Sequence, residues 1–155
     1  MNIYLVVKTL HILSSTILFG TGIGIAFFMF RSMRTNNLHE KFYAAKNTVL
    51  ADCLFTLPAV IIQPLSGIAL IYLVGYNWND FWLTTTYIIY ILVGLCWLPV
   101  VWIQIQLKRM VAVAIETEEQ LPQRYYRLFK LWCALGWPGF IGLMAVFYLM
   151  VAKPI

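Results

Sequence analysis

Three ionisable side chains, Lys8, His11 and Asp52, stand inside apolar stretches of this 155-residue chain. Charge in hydrocarbon is expensive, so each is a functional candidate. Gln63, Gln104 and Gln106 are the amides in the same kind of surroundings. His11 is the most informative of the six. It lies about 12 Å along a helix that starts near Ile3, at 1.5 Å per residue. Lys8, His11, Ser15, Leu18 and Gly22 follow spacings of three and four, which put them on one helical face. An imidazole there can ligate haem iron. Ser15 and Gly22 would leave room for the macrocycle, and Lys8 would pair with a propionate one turn away. The competing reading is a histidine hydrogen-bonded to a tyrosine, a glutamine or a carbonyl inside a helix bundle. His39 reads as a solvated connector residue, so a second histidine ligand within a span is lacking. Met144 lies at a depth similar to that of His11 and is the candidate sixth ligand; a five-coordinate site is the alternative.

Asp52 is expected to pair with Lys46, Arg127 or Lys130, or else to relay protons. Pro64 has no N–H to give and leaves the carbonyl of Val60 unpaired. Gln63 is expected to satisfy that carbonyl or a neighbouring helix, or to face a cavity near His11. Trp97-Leu98-Pro99 and Trp137-Pro138 place tryptophans beside kinks, where they fill volume or flank a porphyrin or quinone. Cys53, Cys96 and Cys133 have no paired spacing and read as buried small hydrophobes without disulfide or metal roles. Ser14, Ser15, Gly20, Gly22 and Gly24 crowd the first apolar run, with Gly20 and Gly24 in a small-xxx-small pattern. Gly136, Gly139 and Gly142 do the same in the last. Such faces suit close helix packing or a flat cofactor. No phosphate loop, nucleophile elbow, zinc-protease motif or dinucleotide fingerprint occurs.

The elements that must hold these residues follow from composition. The chain is 62% hydrophobic and 11% charged, with a mean hydropathy of +0.81. Soluble domains carry about 25% charged residues, so both a soluble domain and a disordered chain are excluded. Four apolar runs, about 3–30, 48–74, 85–107 and 125–152, are each long enough to cross a bilayer. The expected fold is all-α: one domain over 1–155, an up-down four-helix transmembrane bundle. Arg31 to Lys46 reads as a polar connector and Gly75 to Leu83 as a short loop with interfacial aromatics. Lys108 to Arg124 reads as an amphipathic segment whose helix Pro122 ends. The first run is too long, and too poor in preceding basic residues, for a cleavable signal peptide.

The net charge is +5, and nine of the eleven Lys and Arg residues lie in two regions, Arg31–Lys46 and Lys108–Lys130. By the positive-inside rule these loops face the cytoplasm, so both termini face outward. The basic balance is topological and implies contact with membrane lipids, not with nucleic acid.

Val7 to Gly22, Leu135 to Phe140 and Phe147 to Pro154 carry a resemblance that covers essentially the whole chain. The sequence resembles a group of bacterial predicted integral membrane proteins of unknown function. More remotely it is similar to the copper-resistance CopD-like superfamily, which includes the HemJ-type protoporphyrinogen oxidases. Those are small four-helix haem proteins of the inner membrane with a Lys-x-x-His-like pair in the first span; their ligand histidine matches His11. They also use a basic residue in a later span. Tyr87 to Gln106 has none, so that oxidation does not carry over.

Two function classes follow, and the sequence does not decide whether the protein is an enzyme. One is a b-type haem redox protein. His11 would hold the iron, Lys8, Ser15 and Gly22 would flank the haem and Met144 would stand opposite, with a quinone or a periplasmic protein exchanging electrons. The other is a non-enzymatic interaction or transport-accessory protein that self-associates through its glycine faces. A small oligomeric transporter with a pathway along Lys8, His11 and Gln63 is a variant of it.

Overall fold

The computed structural model describes residues 2–154. Those residues form an all-helical fold with four helical rods long and apolar enough to span a membrane. Helix α1 is Ile3–Met33. Helices α2 (Leu38–Ala51) and α3 (Leu57–Val74) are joined end to end by a π turn, Asp52–Thr56, and form one rod. Helix α4 is Phe81–Glu116 and α5 is Gln123–Ala152. Helices suit the bilayer because each satisfies its own backbone where no water can.

The rods are longer than the apolar runs predict. The α2–α3 rod has 37 residues and α4 has 36, about 55 Å each against a hydrocarbon core of about 30 Å. The excess lies at the basic end, and it corrects two expected connectors. Arg31–Lys46 is mostly helix, with a break only at residues 34–37. Asn37 starts α2: its Oδ1 accepts the N–H of His39 at 2.9 Å and of Glu40 at 3.4 Å. Capping by asparagine satisfies two of the first-turn donors. Lys41 then reaches back and donates to the Ser32 carbonyl at 2.9 Å, a cation at the C-terminal end of α1. Helix α4 likewise runs on to Glu116, because Val111 and Ala114 continue its buried stripe. Pro122 does not end that helix. It precedes α5, where its missing N–H is harmless.

The π turn has a local cause. Pro58 cannot donate to a carbonyl one turn back, and the chain widens just before it, so that the Leu57 N–H reaches the Asp52 carbonyl, five residues away. At the other end of α3, Gly75 takes φ +79 and both Gly75 and Tyr76 N–H donate to the Ile71 carbonyl. Lys153 donates to the Tyr76 hydroxyl and sits 4.6 Å from the centre of that ring. The chain end is thereby pinned to the α3–α4 turn.

The bundle is two helical pairs. Helix α1 packs along α3, and α4 along α5, while α1 and α5 stand further apart and meet through aromatic rings, Phe19 with Phe140 and Phe147 and Phe30 with Phe129 and Trp132. The pairs join at the basic end, where α2 wedges against both α1 and α4. Met29, Ala45, Ile103, Leu107, Val111 and Tyr125 make the tight core there. A smaller core, Ile71, Trp82, Leu83 and Leu149, closes the opposite end. Large apolar residues such as Phe27, Leu65, Ile91 and Val151 face outward, as lipid requires.

Candidate functional site

The polar side chains inside the spans fall into two regions. The first surrounds His11, between α1 and α3. Its Nδ1 lies 2.9 Å from the Ser66 Oγ and its Nε2 lies 3.2 Å from the Gln63 amide nitrogen. Ser14, one helical turn on, donates to the Gln63 Oε1. An amide nitrogen only donates, so His11 Nε2 accepts and Nδ1 carries the proton. Ser66 passes its own proton to the Ile62 carbonyl at 2.7 Å. The ring lies against Gly67, where a Cβ would come within 3.3 Å of Cε1. Every hydrogen-bonding atom of the imidazole is engaged. Iron at His11 would have to replace Ser66 or Gln63.

The second region lies deeper, at the basic end of a cavity of about 540 Å3 between the two helical pairs. Such volumes are typical of small-molecule sites. Glycines 22, 94, 136 and 139 line it, together with Phe19, Trp97, Trp137 and Phe140. Asp52, Thr56, Gln104 and Trp132 also line it. Each of these four is at most 8% exposed. Asp52 Oδ2, Thr56 Oγ1, Gln104 Oε1 and Trp132 Nε1 find no hydrogen-bond partner within the protein. Asp52, Gln104 and Trp132 stand about 21, 18 and 14 Å from the basic-side ends of their helices, at 1.5 Å per residue. A buried polar atom left unpaired costs about 1–3 kcal/mol. The four residues come from the π turn, α4 and α5 and line the basic end of the cavity.

The π turn helps to build this wall. Asp52 and Thr56 are its first and last residues, and both side chains are directed into the cavity. The polar neighbours of Asp52 are Thr56, Gln104 and Trp97, none of them charged. The expected ion pair is absent among the described residues: Lys46, Arg127 and Lys130 lie on exposed faces. The carbonyl freed by Pro64 is satisfied, but by another residue than the one expected. Tyr90 on α4 donates to the Val60 carbonyl at 2.7 Å, leaving Gln63 for His11.

Of the sequence candidates, His11 and Gln63 come together and Gly22 lines the cavity. Lys8 is exposed, 5.4 Å from the centre of the Tyr4 ring. Ser15 donates to the Ile12 carbonyl of its own helix at 2.8 Å. Met144 is half exposed on α5, outside both polar regions. His39 is exposed, in the first turn of α2. Cys53 is exposed rather than buried, because the π turn directs Asp52 and not its neighbour inward; Cys96 and Cys133 are partly buried and line the cavity. No group of three metal-ligating side chains occurs among the described residues. Ser66, Gly67, Thr56 and Trp132 carry much of the geometry and gave no sequence signal, and Ser14 stood out only as a packing residue: small hydroxyls, glycine and tryptophan are ordinary residues of an apolar helix.

No curated protein and no solved structure matches this chain. A family model does, over residues 5–154. The protein is an integral membrane protein with four spans, and the chain belongs to the family of predicted integral membrane proteins DUF2269.

Proposed function

We propose that this protein binds a lipid-soluble small molecule within the membrane. The apolar body of the ligand fills the cavity and its polar head meets Asp52, Thr56, Gln104 and Trp132. The observation that carries this reading is an apolar cavity of about 540 Å3 inside the spans, lined at one end by the buried polar residues Asp52, Thr56 and Gln104 and by Trp132. Access is from the side. Helices α1 and α5 are joined there by side chains rather than by close backbone packing, Phe19 stacking on Phe140, and Phe27 and Trp137, which line the cavity from the same two helices, are each more than half exposed. With the basic ends in the cytoplasm, the head would sit on the cytoplasmic half of an inner membrane. Occupancy of this kind serves a transport-accessory protein, or a redox protein that exchanges electrons with a quinone.

The test is extraction of organic-soluble molecules from protein purified in lipid nanodiscs, followed by mass spectrometry. A species enriched over the bulk lipid is expected, and it should be lost in Gly94→Phe, which fills the cavity from α4. Equal recovery from the filled variant would sink the proposal.

Haem b on His11 is the second reading, with Lys8 at a propionate and Met144 opposite. It rests on the imidazole inside the span; the ring itself fills the space over Gly67, so a macrocycle would have to approach from another side. It requires iron to take a ring nitrogen from Ser66 or Gln63. A Soret band lost in His11→Ala would establish it; colourless protein from haem-replete cells would end it.

A further inference from the structure

The seam between α1 and α5 specifies the charge of the ligand's head, provided that the cavity binds a ligand as proposed above. Aromatic rings close the seam at two levels. Phe19 stacks on Phe140, and about 16 Å nearer the basic end Phe30 meets Phe129 and Trp132 at 5.9 and 6.1 Å. Phe27 and Trp137 lie between these levels and form the opening to the bilayer. The cavity behind it has the shape of an extended chain. Its lining runs from Tyr90 to Gln104 on α4, about 21 Å at 1.5 Å per residue and about twice the diameter of a sphere of 540 Å3. A Cβ at Gly22, Gly94 or Gly136 would meet nothing within 4 Å. These glycines keep space open rather than bring helices together, although glycine lowers helix stability relative to alanine.

The lining itself holds no lysine or arginine. The cations stand at the basic-side edge of the opening. Arg31 and Arg34 follow Phe27 by four and seven residues, and Lys130 precedes Trp137 by seven, so each continues the helical row of the aromatic residue that flanks the opening. Arg31 is next to Phe30 and Lys130 is next to Phe129. The contact between those two rings brings Arg31 and Lys130 to one level across the seam. All three cations are exposed, and neither α1 nor α5 contains an aspartate or a glutamate. We infer that the ligand is an acidic phospholipid. One hydrocarbon chain lies in the cavity, the part of the head next to it reaches the polar wall, and the phosphate stands outside the seam at Arg31, Arg34 and Lys130. Arginine forks match phosphate oxygens in pairs, and lysine adds a point charge. A zwitterionic head would set its own cation among these three, and a neutral head would leave them without a partner.

The experiment uses the whole protein in nanodiscs of equal parts dioleoylphosphatidylglycerol and dioleoylphosphatidylcholine, which differ only in the head. Lipid retained after transfer to detergent is counted by native mass spectrometry. The glycerol lipid should be retained about tenfold over the choline lipid, a factor within the reach of three cations beside an anionic head. The triple variant Arg31→Gln, Arg34→Gln, Lys130→Gln should lose that preference with unchanged circular dichroism, and Arg31→Lys with Arg34→Lys should keep most of it. Removing three other cations of the basic end, by Lys46→Gln, Arg109→Gln and Arg124→Gln, should leave the preference intact. Gly94→Phe, which fills the cavity, should release both lipids. Equal retention of the two lipids by the unaltered protein would overturn the acidic head. A preference lost equally in both triple variants would overturn its placement and leave only the general attraction of a basic surface. A preference that survives Gly94→Phe would overturn the buried chain. Equal retention that still falls in Gly94→Phe sinks the acidic head and leaves the binding reading standing. No retained lipid, together with an unaltered extract from Gly94→Phe, would remove the binding reading and this inference with it.

Discussion

The polar regions around His11 and Asp52 use similar residues to opposite ends. Around His11, an imidazole, an amide and two hydroxyls consume one another's hydrogen-bonding capacity and tie α1 to α3. Around Asp52, a carboxylate, an amide, a hydroxyl and an indole line one end of a cavity, and each holds an atom with no partner in the protein. The first arrangement is a clasp, and the second is a receptor surface. A polar residue in a span is therefore not a functional residue by type alone. What separates the two roles is whether its neighbours leave it anything to bind.

Substitutions can break this distinction, and the largest effect is expected at His11. His11→Ala takes the acceptor from the Gln63 amide and the N–H donor from the Ser66 Oγ, while Ser14 and Ser66 keep their own acceptors, and should destabilise the fold by about 2–4 kcal/mol, since each group left short of a partner costs about 1–3 kcal/mol. Thermal unfolding in detergent measures it; an unchanged midpoint would end the clasp reading. Tyr90→Phe removes the donor to the Val60 carbonyl and should cost about 1–2 kcal/mol. It asks whether the saturated network reaches as far as the cavity wall. Gly67→Ala sets a Cβ 3.3 Å from His11 Cε1, and the ring must give way slightly; a loss of about 1 kcal/mol is expected. Asp52→Asn should have the smallest effect on stability, within about 0.5 kcal/mol or slightly stabilising, because its polar neighbours Thr56, Gln104 and Trp97 are uncharged and a buried carboxylate is removed. A large loss there would make Asp52 structural and erase the contrast.

Much of the architecture was legible from apolar runs: four spans, all helical, with both termini on the side opposite the basic loops. The helical extensions at the basic end were not. Charged residues there read as connectors, although Asn37 and Glu40 already stood at N-cap and N3 spacing, a pattern that starts helices. The π turn follows from Pro58, but its effect on the direction of Asp52 needs coordinates. The meeting of His11 with Gln63 was legible from comparable depth; the part played by Ser66 and Gly67 was not, since neither type stands out in an apolar helix. Asp52 was legible as important and its partners were not. Counting nearby cations takes no account of the faces on which Lys46, Arg127 and Lys130 lie.

Lys41 shows how one charge can serve two stages in the life of a membrane protein. In the sequence it is one of four cations between Arg31 and Lys46, the kind of segment that tends to stay on the cytoplasmic side during insertion. Once the helices have formed, the same ammonium is buried and closes the end of α1 through the Ser32 carbonyl. Biogenesis and folded structure thus draw on a single residue. Lys41→Met would remove both contributions at once, whereas Lys46→Met, on an exposed face, would touch only the first.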